Sequence, residues 1–514
     1  MAISDIIQAF PDGPIVLSSG ISPSASYHIG HFREIMTADA LTWGLKRAGR
    51  DARHVHVVDN FDPLRKRYPF LPESYEAYVG WPICLVPDPF DACREEHQTY
   101  AEHFYREFEG YATRMGIVPD EVVRSYEQLY AAGRMAQAIE QAVDRVERIR
   151  DITREVSHRE LPESWLPLQL LGPSHSFTEL TYLAMDKTTR TITGAATDGT
   201  EHRLDYGAGQ VKLNWRLDWP ARWQVLGVKV EPFSAQEHGA AGGSYDTGVR
   251  FSKEIFDYDA PIPGVRYGNI HLVGDTKKMS SSKGNLVTPA TALQAVPPEV
   301  LRYFVVRSRP ERTLFWESNR GLLNLLEEFS TVRQVVQAGE PSEFAEAYEF
   351  ATAASTPDVI SSVPFTHLIQ VWQTAQADPE GALVILERTG YEQAVASERD
   401  VLLREFEYVA GWLRLYAPEN VVFEVQKDLP DAELTGAQRG FLTDLAAAVK
   451  AGSLDGPGMH EAIYTAKDAH DLKPGEAFKA LYRIFLAKES GPKAGWFLAS
   501  LDRTFVINRL SLTK

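Results

Sequence analysis

Two short words in this chain have the residue types for adenylate chemistry. The first is Tyr27-His28-Ile29-Gly30-His31, reached through Ser19-Gly20-Ile21-Ser22-Pro23-Ser24; the second is Lys278-Met279-Ser280-Ser281-Ser282-Lys283-Gly284-Asn285. An apolar run, Ile15-Val16-Leu17, precedes the first word, and a helical pattern (Phe32, Ile35, Met36, Ala40, Leu41) follows it. Its histidines therefore fall on a strand-to-helix turn, where unpaired backbone N–H groups and the helix dipole attract phosphate. Gly30 allows an adenine and ribose to come close to the backbone, which a side chain would prevent. The second word sets two ammonium groups on a Ser- and Gly-rich loop, suited to closing over a triphosphate and neutralising charge as pyrophosphate departs.

Each word alone has a plain structural reading, the first as a turn with two satisfied polar residues, the second as a solvated linker. Together, in this order and at opposite ends of an α/β segment, they form the signature pair of class I aminoacyl-tRNA synthetases, which the chain resembles. The stretches Asp59-Asn60-Phe61-Asp62-Pro63-Leu64-Arg65-Lys66, Trp215-Arg216-Leu217-Asp218-Trp219-Pro220-Ala221-Arg222-Trp223, Gly242-Gly243-Ser244-Tyr245-Asp246-Thr247-Gly248 and Gly491-Pro492-Lys493-Ala494-Gly495-Trp496-Phe497-Leu498 look like the class I lysyl-tRNA synthetases. This resemblance runs nearly end to end, without by itself fixing the amino acid. It implies activation of lysine as lysyl-adenylate with ATP and Mg2+, then transfer to the 2′-hydroxyl of tRNA(Lys). It further implies that His28 and His31, with Ser24 and Gly30, hold the phosphates and the adenine side. Lys278 and Lys283 would flank the loop of Met279, Ser280, Ser281 and Ser282 that closes over pyrophosphate. The attacking nucleophile is the substrate's own carboxylate, so the protein supplies only positioning and charge.

A lysine side chain requires an apolar or aromatic channel for its stem and acceptors for its ammonium. By the resemblance, Gly20, Ser22, Trp219 and His238 stand where the family builds its pocket, and Tyr245 and Asp246 are further polar candidates. Trp219 and Trp223, at i and i+4, are equally readable as core. One position departs from the family, in which an acidic residue often follows the tyrosine at this point: here Tyr267 is followed by Gly268. That removes a candidate partner for the substrate ammonium. Asp88, Cys93, His97 and His103 offer oxygen, sulfur and nitrogen donors compatible with one tetrahedral Zn2+. A polar helix start with exposed histidines is the alternative, and the family's habit of placing zinc ligands after the Pro87-Asp88-Pro89 turn favours the metal. Leu166-Pro167-Leu168-Gln169-Leu170-Leu171-Gly172 stands where relatives carry a Cys-x-x-Cys-Gly knuckle, so a second zinc is expected to be absent.

The expected fold is α/β, a doubly wound parallel (Rossmann-like) catalytic domain with an insertion, followed by an all-α domain. Residues 1–119 read as the first catalytic half, with Ile15–Leu17, Val55–Val58 and Ile83–Val86 as strands. Residues 120–222 read as the insertion, with one charged helix over Met135–Arg154 and short strands around Thr188–Thr193 and the turn Asp198-Gly199. The second half, 223–275, contains the apolar run Val225–Val230. Residues 276–330 hold the second word and Arg302, Arg307, Arg309, Arg312 and Arg320, either solvated charges on a helix or a surface for a tRNA acceptor stem. Residues 331–514 are helical in period and resemble the anticodon-binding cage of glutamyl- and lysyl-tRNA synthetases.

Composition bounds the reading without deciding it. The chain has 514 residues, 44% apolar and 24% charged, ordinary for a globular protein with several domains. The net charge of −17 makes any nucleic-acid contact a matter of local patches. Two cysteines exclude a disulfide framework, and no apolar run approaches membrane-helix length, so a cytoplasmic protein with no membrane partner is expected. Three other functions compete. A class I paralogue could activate another amino acid or use a non-standard acceptor, which Gly268 favours. A tRNA-binding module with a decayed site would not keep both words, and a small adenylyltransferase would not need the helical third.

Overall fold

The structure is a computed structural model that describes residues 2–90, 98–259, 264–273, 286–354, 359–452 and 454–513. The chain divides into two compact units: residues 1–289 with 302–316, and residues 290–301 with 317–514.

In the first unit, helix α1 (Ala2–Ala9) leads to strand β1 (Ile15–Ile21), and α2 (Phe32–Arg47) connects β1 to β2 (Ala52–Val58). The two strands pair in parallel over their full length, Ile15 opposite Ala52 through Ile21 opposite Val58. After α3 (Tyr100–Arg114), β3 (Glu121–Arg124) adds to the far side of β2, so the parallel sheet runs past residue 119. Strands β1 and β2 are buried on both faces over most of their length, as parallel strands covered by helices are, although they carry the polar residues Ser18, Ser19, His54 and His56. Ile83–Val86 forms turns rather than the expected strand. Pro82 and Pro87 bracket it and cannot donate to a ladder, and its buried backbone is satisfied by loops and by the start of α3, through Ile83 N–H to Asp62 and Tyr100 N–H to Val86.

The charged stretch Met135–Arg154 is two helices, α4 (Ala136–Asp144) and α5 (Val146–Ser157). Arg145 breaks it, its guanidinium turned to the Ile255 carbonyl at 2.6 Å and to Asp257. The insertion then forms β4 (Leu168–Leu170), β5 (Thr181–Asp186), β6 (Thr191–Ala195), β7 (Glu201–Asp205) and β8 (Val211–Leu213). Strands β5, β6 and β7 make an antiparallel sheet, and β4 pairs with β8. Thr188–Arg190 belongs to the first hairpin turn; Gly199 carries φ +86° in the second, a conformation that favours glycine.

Helix α6 (Trp215–Leu226) returns the chain to β9 (Val228–Val230), which pairs with β1 on the side away from β2. The sheet order β3-β2-β1-β9 therefore has its topological switch between β1 and β9, where ligands of open α/β sheets bind beyond the strands' carboxyl ends. Two further parallel pairs follow, β10 (Phe233–Ser234) with β11 (Arg266–Tyr267) and β12 (Ile270–Leu272) with β13 (Leu314–Trp316); α7 (Ser244–Glu254) lies between β10 and β11 in sequence.

Beneath this switch, buried Ser19 Oγ stands 2.7 Å from His54 Nε2 and 2.8 Å from His56 Nδ1. Burial lowers His54 to about 4 and His56 to about 3, so both rings are neutral in the native protein. Unfolded histidines take up protons near pH 6.5 that the native rings refuse. This contribution to stability is full above about pH 6.5 and declines as pH falls toward 4, by roughly 1–2 kcal/mol per histidine at pH 5. Urea midpoints at pH 7 and pH 5 should differ more in the wild type than in His54→Gln, and equal differences would refute the assignment.

The second unit contains helices from Arg320–Gln337 to Arg503–Leu510, of which those from Gly436–Ala451 onward pack around Phe441, Leu442, Leu445, Ile463, Leu481 and Phe485. At Gly495 a Cβ would lie 2.6 Å from the Gly456 carbonyl oxygen, so helices Gly456–Ala469 and Ala494–Ser500 touch backbone to backbone there. This unit has a cavity of about 1580 Å³ whose lining includes Arg388, Tyr391, Lys493 and Trp496. No helix among the described residues is long and apolar enough to cross a membrane.

Candidate active site

A cavity of about 520 Å³ opens at the carboxyl ends of β1, β2 and β9, lined among others by Gly20, Ser22, His28, Glu34, Trp219 and Tyr267. The first word forms one wall. A 3-10 turn over Ile29–His31 joins β1 to α2, with His28 as its N-cap. His28 Nδ1 accepts the Gly30 N–H at 3.1 Å, and His31 Nδ1 accepts the His28 N–H at 3.0 Å. The two imidazoles stack with centroids 3.8 Å apart. A ring whose Nδ1 is an acceptor carries its neutral-form proton on Nε2, so this reciprocal cap makes each histidine an Nε2 donor. A Cβ on Gly30 would sit 2.8 Å from the His28 ring; the close approach this glycine permits is by that ring.

The second word, Lys278 to Lys283, lies outside the described residues, but its flanks do not. Ile270 on β12 lines the cavity, and the Val287 carbonyl accepts the Ile29 N–H of the first word's turn at 3.0 Å. Residues before and after the second word thus meet the first.

Of the residues expected to hold an amino acid, Gly20, Ser22, Trp219 and His238 line the cavity. Trp219 lines the cavity and also packs into the core, on Trp223 with centroids 5.1 Å apart and on His238 at 5.4 Å. Tyr245 and Asp246 stand outside the lining. Tyr245 stacks on Phe233 at 4.0 Å and its hydroxyl accepts the Gly264 N–H, while Asp246 accepts the Gly242 N–H at 2.9 Å. Ser24 also stands outside, its carbonyl accepting the Tyr100 hydroxyl at 2.5 Å.

The strongest electrostatic feature is Glu34, one turn after His31 on α2. Its Oε1 accepts the Gly20 N–H at 2.7 Å and its Oε2 accepts the Tyr267 hydroxyl at 2.9 Å. Burial, reinforced by the nearby Glu231, raises its carboxyl to about 8, against these two hydrogen bonds. The sequence carries one sign of it: an acid three residues after the second histidine shares that histidine's face of the helix.

Behind the cavity, fully buried Lys212 on β8 reaches three carboxylates, Asp218 at 3.3 Å, Asp62 at 3.4 Å and Asp59 at 3.7 Å. Arg222 adds contacts of 3.2 Å to Asp59 and Asp218, and the Tyr130 hydroxyl donates to Asp218 at 2.5 Å. Burial opposes the charge on Lys212, but its three carboxylates prevail and raise its pKa. Asp62 is pushed up to about 6 by burial and by Asp59. Lys212 and Arg222 thereby tie residues 120–222 to Asp59, and Lys212 also ties them to Asp62. The lining brings together the carboxyl groups of Glu34, Asp59, Asp62, Glu231 and Glu237 with the guanidinium groups of Arg65 and Arg222.

Gly268 has a steric cause. A Cβ there would lie 2.5 Å from the backbone of Arg312 and Thr313, so no acid fits at that position in this backbone. Of the arginine cluster, Arg302 is buried and donates to the Met115 and Gly116 carbonyls at 2.9 Å; it is not a surface cation. Arg309 and Arg312 are exposed. Of the expected zinc set, Cys93 and His97 lie outside the described residues. Buried Asp88 has Oδ2 3.2 Å from His103 Nδ1, and no group of three or more His, Cys, Asp or Glu side chains among the described residues is placed to hold a metal.

Residues 3–354 match the family described as tRNA synthetases class I (K). The chain is 40% identical to the lysine–tRNA ligase of Archaeoglobus fulgidus over 496 residues, covering 96% of this chain and 95% of that one. It is 38% identical to lysine–tRNA ligase 1 of Methanosarcina acetivorans, with 97% and 95% covered. A solved glutamate tRNA ligase from Elizabethkingia meningosepticum is 13% identical, with a TM-score of 0.47 over 97% of this chain and 98% of that one.

Proposed function

The chain belongs to the class I tRNA synthetase family of type K, and from that premise we propose that it activates L-lysine with ATP as lysyl-adenylate and transfers the lysyl group to tRNA(Lys). The observation that carries the choice of lysine is Glu34, held by the Gly20 N–H and the Tyr267 hydroxyl in the same cavity that His28 and His31 line. An ammonium entering there meets a carboxyl that ionises to pair with it, and Tyr267 supplies a hydroxyl as second partner. Trp219 and His238 offer faces for the aliphatic stem. Glu34 takes the part left without a residue at Gly268.

The lysine carboxylate attacks the α-phosphorus of ATP, and pyrophosphate leaves. The Nε2 donors of His28 and His31 hold phosphate oxygens as charge moves onto them, and Lys278 and Lys283 neutralise the departing group. Mg2+ entering with ATP supplies further charge neutralisation. A ribose hydroxyl of the terminal tRNA adenosine then attacks the activated carbonyl. The helical unit is the anticodon-binding part in this reading, and Trp496, Lys493 and Arg388 in its cavity have the stacking and cationic chemistry that single-stranded RNA uses. Charging tRNA for translation places the enzyme in the cytoplasm.

The deciding experiment is pyrophosphate exchange with each of the twenty amino acids and ornithine, with and without tRNA. Lysine should dominate. Ornithine should fall behind by more than the roughly 1–3 kcal/mol of a methylene, because its ammonium no longer reaches Glu34. Another amino acid outperforming lysine at equal concentration would overturn the lysyl assignment and favour the paralogue.

Buried Asp88 and half-buried His103 fit two positions of a zinc site that Cys93 and His97 would complete. Elemental analysis should find about one Zn2+ per chain, lowered in Cys93→Ser. Metal-free protein of full activity would leave Asp88 and His103 as an ion pair alone.

A further inference from the structure

One layer behind the cavity, a second ring of hydrogen bonds runs through the residue that precedes Glu34. Arg33 is 1% exposed and turns away from the cavity. Its guanidinium donates to the Val305 carbonyl and, at 3.0 Å, to the Pro310 carbonyl. The Pro310 carbonyl also accepts the Gly268 N–H at 2.8 Å. Gly268 follows Tyr267, whose hydroxyl donates to Glu34 Oε2. The path closes on itself: Arg33, Pro310, Gly268, Tyr267, Glu34, and back to Arg33 across one peptide bond.

Neighbouring bonds stiffen this ring. Leu314 N–H donates to the Asn269 carbonyl at 3.0 Å, and β12 pairs with β13 in register from Ile270 opposite Leu314. The 2.5 Å approach of the Arg312 backbone at Gly268 leaves no slack for a side chain. Only a planar guanidinium reaches two carbonyls with fixed geometry; an ammonium is a point donor on a flexible stem. Burial lowers Arg33 to about 10, which leaves it charged at neutral pH. Carbonyl dipoles hold this buried cation, and among the described residues no carboxylate pairs with it.

We infer that Arg33 is a positioning residue for amino-acid recognition: by fixing the Pro310 carbonyl it holds Gly268, and so keeps the Tyr267 hydroxyl on Glu34. The inference rests on the proposed lysine pocket. Because residues 302–316 follow the second signature word in sequence, the ring also ties that segment to amino-acid recognition.

The test is lysine- and ATP-dependent exchange kinetics of the full chain, with tRNA present, in Tyr267→Phe, Arg33→Lys, Gly268→Ala and the double variant Arg33→Lys/Tyr267→Phe. Tyr267→Phe should raise the lysine KM roughly tenfold with the ATP KM within about twofold. Arg33→Lys and Gly268→Ala should raise the lysine KM selectively, and Arg33→Lys should add little once Tyr267 is already Phe. In Arg33→Lys the pH midpoint of the lysine KM should move upward, because Glu34 loses a hydrogen bond that favours its charged form. Equal rises in both KM values, a fall in kcat alone, or full multiplication of the two single effects would overturn the inference. If Arg33→Lys does not fold, Gly268→Ala decides, since it displaces the same backbone and leaves Arg33 in place. An unchanged lysine KM in Tyr267→Phe would instead remove the pocket reading, and the positioning role with it.

Discussion

Glu34→Gln is expected to lower kcat/KM for lysine by roughly two orders of magnitude while the KM for ATP stays within about twofold. The amide keeps the shape and the hydrogen bond from Gly20, so what is lost is the charge that the substrate ammonium needs. A charge-assisted bond contributes about 1.5–3 kcal/mol, and an ammonium left unpaired in an enclosed cavity costs about 3–5 kcal/mol. The same residue sets a pH dependence. In the empty cavity Glu34 titrates near 8, mainly because burial disfavours its charged form. Lysine binds best to the ionised form, so binding releases a proton below that value. The apparent lysine affinity should rise as pH goes from about 6 to 8, by up to tenfold per unit, and level off above. In Glu34→Gln that slope should vanish. A wild-type lysine KM flat across this range, or a substituted enzyme with unchanged lysine KM, would show that the ammonium is recognised elsewhere.

Why Glu34 was hidden while the histidines were not is a matter of range. The turn of His28 and His31 is local: an apolar strand, a glycine and a helix start within one stretch of chain, and the structure places the histidines as that stretch requires. An acid in the first turn of a helix, by contrast, has an ordinary explanation in the helix dipole. What makes Glu34 special is Tyr267, a partner 233 residues away in sequence. Lys212 was hidden for the same reason, since its three carboxylates converge only when β8 folds against the ends of the sheet. Local apolar runs misled where prolines bracket them, as at Ile83–Val86, and helical periodicity could not show that Arg145 would leave its helix to reach Ile255 and Asp257. Trp219 was readable both as core and as site because it packs on Trp223 and also lines the cavity. Tyr245 carried the polar look of a site residue, yet its hydroxyl serves the Gly264 N–H.

In the proposed reading, His28 and His31 meet the nucleotide and the carboxyl groups of the lining meet the amino acid, with few cations in the lining to meet the triphosphate. Arg65 and Arg222 are in its lining, and Arg222 is already held by Asp59 and Asp218. In the proposed reading the second word adds to the positive charge that Mg2+ brings with ATP, and Lys278→Ala and Lys283→Ala should each lower lysine-dependent pyrophosphate exchange by roughly a hundredfold to a thousandfold. That range is the typical loss, about 2.7–4 kcal/mol, on removing one preorganised donor to charge that develops in the transition state. Most of the loss should fall on kcat, because charge on the bridging oxygen and pyrophosphate grows as the bond to the α-phosphorus breaks. The double variant should lose less than the product of the two single losses, since two cations on one departing group act as a unit. Melting temperature should stay within a degree or two, the outcome expected for side chains that act on the departing group and not in the core. Wild-type exchange in either variant would remove that lysine from the chemistry, and a large drop in melting temperature would reassign it to the fold.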